Sequence, residues 1–193
     1  MKSLQLSEPH LLIVVGGPGS GKSTFAAKFA EMFHAPFIDG GQILSASLDH
    51  RAAVYLATMI LSEIQRTNQT LVYEPISGTK VERTEIAKAA VKAGYKPLVI
   101  WLQTDKYVAE ARATRKSRSN PHPMTVKEFE QHNKRFTPPS SGEKYVVVSG
   151  MHTFATQARV VLRKVSEHIV RPAVKAAPAR TDTTQQQRSI TVR

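Results

Sequence analysis

The 193-residue chain has no cysteine, which rules out disulfides and thiolate metal sites. It also lacks any apolar run near the ~18 residues needed to span a bilayer. Its first such run, Leu11–Val15, is too short for the core of a secretion signal and passes directly into glycine. These absences favour a cytoplasmic setting without a membrane partner. Acids are scarce: 15 Asp and Glu stand against 27 Lys and Arg, a formal charge of +12. Such a surface attracts polyanions, so nucleic acid and phosphorylated substrates are both reasonable partners, with a plain solvated basic surface as the alternative. The seven histidines show no metal-ligand spacing. Aromatic residues are few, and residues 171–193 contain none. That segment, with five basic side chains against Asp182, cannot bury enough surface to offset its ordering entropy and reads as a disordered basic tail.

Short apolar runs alternate with amphipathic stretches, the pattern of an α/β domain built on a parallel sheet. Strands are expected at Leu11–Val15, Pro36–Asp39, Thr70–Glu74, Pro97–Leu102 and Tyr145–Ser149. Helices are expected over Lys22–His34, with Phe25, Phe29, Met32 and Phe33 on one stripe, and over Ala52–Gln65. A third covers Val81–Ala93 and ends at Gly94. A fourth, capped by Thr104 or Asp105, is expected to run into the basic stretch Arg112–Arg118. Ser119–Glu143 holds four prolines and a short helical piece at Val126–Phe136, and reads as a mobile cover over a site. A last helix is expected over Thr153–Val170. The layout is one domain over residues 1–170, its lid at about 112–143, followed by the tail.

The chemistry is concentrated in LLIVVGGPGSGKST, Leu11 to Thr24. Gly16 to Ser23 fits G-x-x-x-x-G-K-[ST] between a predicted strand and a predicted helix, the context that gives this pattern its meaning. A phosphate must reach several consecutive backbone N–H groups, which side chains would obstruct and glycines expose. The helix that follows adds its positive end. Gly17, Pro18, Gly19, Ser20, Gly21, Lys22, Ser23 and Thr24 thus form a cradle for a nucleoside triphosphate. Lys22 can bridge the β- and γ-phosphates, and the Ser23 hydroxyl can ligate Mg²⁺. Neither a guanine reader nor an Asp-Glu-terminated ATPase strand is present: Asn133-Lys-Arg-Phe136 lacks the aspartate, and the third strand ends Tyr73-Glu74-Pro75.

Taken together, GGPGSGKST, Phe37-Ile-Asp39-Gly, Leu71-Val-Tyr-Glu74 and Glu110-Ala-Arg112-Ala-Thr-Arg115 resemble the small P-loop kinases. That group includes adenylate, gluconate and shikimate kinases, polynucleotide kinase and the zeta-toxin kinases. Val81-Glu-Arg83-Thr-Glu and Arg135-Phe-Thr-Pro-Pro139 look most like the polynucleotide-kinase and zeta-toxin-like branch, which also carries the AAA-type ATPase label. The likeness runs from about Leu11 to Val165. It implies a three-layer P-loop fold with a parallel sheet of about five strands. It also implies transfer of the γ-phosphate of ATP, with Mg²⁺, to a hydroxyl or phosphate of a small molecule, a nucleotide or a nucleic-acid end.

Position by position, the resemblance assigns Asp39 to the acceptor hydroxyl, against the alternative of a turn-forming Asp-Gly. It assigns Glu74 to Mg²⁺, although the family more often has aspartate there. Arg112 and Arg115 match paired lid arginines that close over the phosphates, the alternative being a solvated or nucleic-acid-facing stripe. Arg83 binds a substrate phosphate or merely begins a helix. Ser149-Gly-Met-His152 falls where such kinases line the adenine pocket. Two other functions fit the same motifs: a regulatory P-loop ATPase switch, and a basic nucleic-acid-binding module with a nucleotide site.

Overall fold

The computed structural model describes residues 8–117, 120 and 122–166. Five strands form one parallel sheet: β1 (His10–Val15), β2 (Phe37–Asp39), β3 (Leu71–Glu74), β4 (Lys96–Gln103) and β5 (Tyr145–Ser149), in the order β2-β3-β1-β4-β5. Seven helices accompany them among the described residues: α1 (Lys22–Phe33), α2 (Gly40–Ala46), α3 (His50–Gln65), α4 (Lys80–Lys92), α5 (Lys106–Thr114), α6 (Val126–Arg135) and α7 (Phe154–Ser166). The expected α/β P-loop architecture is the one observed.

All six residues of β1 are buried, as a strand covered on both faces requires. Alternation along the strands sorts the core into two halves. Leu12, Val14, Val72, Leu98 and Ile100 pack with Phe25 and Phe29 of α1 and with Val161 and Val165 of α7. Leu11, Ile13, Tyr73 and Val99 pack on the other face with Ala57 and Leu61 of α3 and Ala90 of α4. Fully burying each of the larger of these side chains is worth about 1.5–3 kcal/mol. A separate small cluster of Ala109, Ala113 and Phe129 joins α5 to α6.

The chain leaves β1 for the far edge at β2, returns to β3 between them, and then crosses to β4 and β5. Successive connections therefore diverge between β1 and β3, and the crevice beyond the carboxyl ends of those two strands is the place where such sheets bind ligands. The phosphate-loop sequence follows β1 and Glu74 ends β3, so both lie at that crevice.

Three expectations are corrected. Asp39-Gly40 is not a simple turn: Asp39 caps a helix, α2, its Oδ1 accepting from Gln42 N–H at 3.0 Å. Helix α5 stops at Thr114 and does not continue through the basic stretch, because the Asn120 side chain donates back to the carbonyls of Arg112, Ala113 and Arg115 and satisfies its end. Met32 leaves the buried stripe of α1 and is half exposed. The predicted end of the last helix beyond Ser166, and the tail at 171–193, lie outside the described residues.

Candidate active site

Gly21 precedes α1 with φ 91° and no side chain caps the helix. The first-turn amides, which have no acceptor within the helix, therefore remain for a ligand. The loop before it is braced from behind. Gly19 has φ 70°, and a Cβ there would lie 2.0 Å from the Ala109 carbonyl oxygen, so α5 presses directly on the loop. The Ser20 carbonyl accepts from Thr104 Oγ1 at 3.1 Å, and a Cβ on Gly150 would fall 2.3 Å from that same oxygen. Ser20 itself is buried with its hydroxyl turned toward Gly16, so it can serve a phosphate only through its backbone.

At the carboxyl end of β3, Glu74 is 5% exposed. Its Oε1 accepts from Ser23 Oγ at 3.1 Å and lies 3.5 Å from Lys22 Nζ. Burial pushes its pKa above the ordinary carboxylate range; Lys22 and Ser23 pull it back only in part, and Asp39 adds to the rise. The second oxygen, Oε2, is buried with no hydrogen-bond partner among the described residues. A desolvated carboxylate with one orphaned oxygen beside a serine hydroxyl is a donor set that suits a hard divalent cation. Asp39 is the register partner of Glu74 on the neighbouring strand, half buried, with its carboxylate shared with the α2 amide of Gln42.

The glycine-rich loop, Lys22, Ser23 and Glu74 open into one cleft of about 1320 Å³; its lining includes Gly41 but not Asp39. Gly16–Gly19, Gly21–Ser23 and Glu74 form its floor; Gly41, Leu44, His50 and residues 75–79 form one wall; Tyr107, Arg112, Arg115, His132, Arg135 and Phe136 form the other. Arg112, in α5, reaches across to donate to the Gly150 carbonyl at 3.2 Å and touches Met151, the loop expected at the adenine pocket. Arg115 lines the same cleft but sits in extended backbone past the helix end. The two arginines therefore share the cleft wall and not a helical face.

Arg83 has a different place from the one expected. It is 1% exposed. Its Nε and Nη2 donate to the Glu143 carboxylate at 2.7 and 2.9 Å, Nη1 donates to the carbonyls of Gly78 and Thr137, and Nη2 also points at Pro138 O. With its donors taken, this guanidinium ties the β3–α4 loop to segment 137–143 and offers no hydrogen to a substrate phosphate. The hydrogen bonds from Arg83 are also what hold the Glu143 pKa below the usual carboxylate range.

Its neighbour Glu82 was not singled out from sequence. The carboxylate accepts from the amides of Ile76, Ser77 and Gly78 and from Ser77 Oγ, and so fixes the loop that walls the cleft. Thr79-x-x-Glu82 was the available signal, a capping-box spacing; Thr79 does cap α4, but the glutamate turns to the preceding loop. Asn120 was missed as well, since nothing local marks a side chain that caps a helix behind it in the chain.

A protein-family model described as an AAA domain matches residues 11–139, from β1 through the segment gripped by Arg83. The chain belongs to this AAA-domain family. No curated protein matches the chain. Among solved structures, this AAA domain is similar to a gluconokinase from Sinorhizobium meliloti 1021, with 18% identity over 83% of this chain and 93% of that one, at a TM-score of 0.64. A sugar kinase from Janibacter sp. HTCC2649 is 13% identical over 82% and 95%, at 0.62. The APS kinase of Mycobacterium tuberculosis, solved with AMPPNP and APS, is 15% identical over 82% and 98%, at 0.58. At these identities the likeness establishes a shared fold, that of small P-loop kinases. Among the described residues, no helix is long and apolar enough to cross a membrane.

Proposed function

We propose that this AAA domain is an ATP- and Mg²⁺-dependent kinase that transfers the γ-phosphate to a hydroxyl of a small molecule. The observation that carries the reading is the convergence of Lys22 and Ser23 on Glu74 at the floor of a walled cleft. The two-sided cleft supports transfer over simple hydrolysis, because it offers room for an acceptor opposite the loop.

The loop amides and Lys22 hold and orient the triphosphate, and Lys22 neutralises charge as it builds on the transferring group. Ser23 and Glu74 would hold Mg²⁺, which when bound supplies charge neutralisation across the phosphate oxygens. Asp39 accepts the proton that the attacking hydroxyl loses. Arg112 and Arg115 supply guanidinium donors to the phosphates from the α5 side. Arg83 acts as a positioning residue through the walls it ties together. The cover of α5 and α6 excludes water, which would otherwise compete as acceptor.

The test is phosphoryl transfer from labelled ATP to a panel of sugars, sugar acids, nucleosides and oligonucleotide 5′-ends. A kinase consumes ATP much faster once its acceptor is supplied. ATP turnover that no acceptor accelerates, and that only a protein partner changes, would overturn the reading in favour of a switch.

A further inference from the structure

Among the described residues, four fixed cations line the cleft, Lys22, Arg112, Arg115 and Arg135, against one carboxylate, Glu74. A nucleoside triphosphate with its Mg²⁺ keeps a charge of about −2 at neutral pH. Lys22, Arg112 and Arg115, set against Glu74, balance that charge. Arg135 is left over. Its guanidinium makes no hydrogen bond or ion pair among the described residues. The nearby carboxylates are engaged elsewhere: Glu82 holds the amides of Ile76, Ser77 and Gly78, and Glu143 holds Arg83.

The fold nonetheless fixes where Arg135 stands. It ends α6, and the backbone directly after it is anchored. The Phe136 ring packs on Trp101 with centroids 6.4 Å apart, on the face of the sheet that buries Ile38 and Tyr73. The next two carbonyls, of Thr137 and Pro138, accept from the buried Arg83 at 2.9 and 3.5 Å. Arg83 Nη1 also donates to the Gly78 carbonyl at 2.6 Å. Arg135 is therefore held where the two walls of the cleft are drawn together.

That place is the opposite extreme from Arg112, which reaches Gly150 and Met151. Gly150 follows β5, the glycine-rich loop follows β1, and Gly78 follows β3. The sheet order puts the loop between the two ends. Phosphoryl transfer sets the entering and leaving oxygens roughly in line through the γ-phosphate. With the nucleoside toward Gly150, the acceptor approaches from the side of Gly78 and Arg135. A free guanidinium there offers a fork of donors suited to a carboxylate or a phosphate monoester. A cationic acceptor would meet only like charge.

We propose that the phosphoryl acceptor is a small hydroxyl compound bearing a carboxylate or phosphate group, and that Arg135 binds that group. This assignment rests on the kinase reading of the cleft. The first test supplies labelled ATP with acceptors matched except in charge: a sugar acid with its alditol, and a sugar phosphate with its parent sugar. The charged member of a pair should accelerate ATP consumption and the neutral member should not. In Arg135→Gln, KM for that acceptor should rise about 10–100-fold with KM for ATP unchanged. Arg135→Lys should recover part of the loss. Neutral acceptors that serve as well as charged ones, or an unaltered acceptor KM in the glutamine variant, would sink the assignment and leave the kinase reading intact. Acceleration by an oligonucleotide 5′-end alone would also sink it, in favour of a polymer on the outer basic surface.

The second test needs no turnover. Saturating Mg²⁺ and AMPPNP fill the donor site, and inorganic phosphate or acetate is then titrated at fixed ionic strength by calorimetry. Trp101, the chain's single tryptophan, lies beside the site as a fluorescent reporter. The parent chain should bind an anion saturably, and Arg135→Gln about ten-fold or more weakly. Arg135 is exposed, so the fold does not depend on it. The preferred ion, phosphate or acetate, tells which group the acceptor carries. Binding of neither ion, or equal binding by the glutamine variant, overturns the proposal. Anion binding with no acceptor active in the first test would overturn the kinase reading and keep Arg135 as the anion site.

Discussion

Arg83 and Glu143, 60 residues apart, meet through two N–H···O bonds of 2.7 and 2.9 Å with the arginine side chain wholly buried. The pair is the point at which the β3–α4 loop and the segment after α6, one from each side of the cleft, are fastened together. Replacing Arg83 by alanine takes its donors from the carbonyls of Gly78, Thr137 and Pro138 and leaves the Glu143 carboxylate with Ser140 alone. We expect a loss of about 3–5 kcal/mol, the range for breaking a buried pair from one side, measured by urea denaturation. Arg83→Lys should recover only part of this, because an ammonium cannot reproduce the bidentate fork. The depressed pKa of Glu143 sets the pH sense. The carboxylate's contribution is present above its unfolded value near 4.3 and is lost as pH falls through its lower folded value.

Glu74 carries the opposite shift, and its consequences oppose each other. A folded pKa above the unfolded one means that the folded state holds its proton more tightly, so this group's contribution to stability falls as pH rises through that interval. At neutral pH and without ligand, Glu74→Gln should therefore raise the Tm. The same change should abolish the Mg²⁺ dependence of nucleotide affinity in calorimetry. In the parent chain, Mg²⁺–nucleotide affinity should weaken as pH drops through the raised pKa, and the glutamine variant should show no such dependence.

Asp39 offers a clean separation of structure from chemistry. Asparagine caps a helix about as well as aspartate, so Asp39→Asn should keep α2 and the fold. It removes the carboxylate that would take the acceptor's proton. Transfer should fall by about 10²–10⁴-fold with ATP affinity almost unchanged. Equal losses in both would place Asp39 outside the acceptor side.

Gly19→Ala tests the brace behind the loop. The left-handed backbone costs alanine about 1–2 kcal/mol, and its Cβ would collide with Ala109 O. The variant should lose stability in thermal melts and nucleotide affinity together. Gly21→Ala, where the backbone is equally left-handed but the space is open, should keep more of both.

Lys22→Ala should abolish transfer while leaving the melting transition cooperative. Its amine is partly solvated and touches Glu74 alone among the described acids, so the fold does not depend on it. Unchanged turnover would dismiss the phosphate loop as the donor site.

Much of this was readable in the chain because the decisive signals are local. A strand, a glycine-rich turn and a helix are consecutive, so Leu11 to Thr24 announces its own geometry. Asp105 as a cap, and Gly94 with φ 82° after α4, are likewise local chemistry. What was not readable depends on partners far off in sequence. Arg83 reads as a helix-start arginine until the fold delivers Glu143. Arg112 and Arg115 have the spacing of one helical face, yet α5 ends between them, at the carbonyls that the Asn120 side chain reaches from its turn. Helix α2 was hidden because Gly40 and Gly41 are poor helix formers. Gly40 is required there for another reason: a Cβ would lie 2.5 Å from the Glu74 carbonyl.

The tie from Thr104 to the Ser20 carbonyl, with Gly150 lying against it, means that the nucleotide finds its receptacle already cast. The entropic toll of capture then falls on the arriving molecule and on whatever folds over it, while the main chain beneath keeps its shape. A crystal grown without nucleotide should superimpose on a loaded one from Gly16 to Ser23, and any rearrangement should be confined to the arms above.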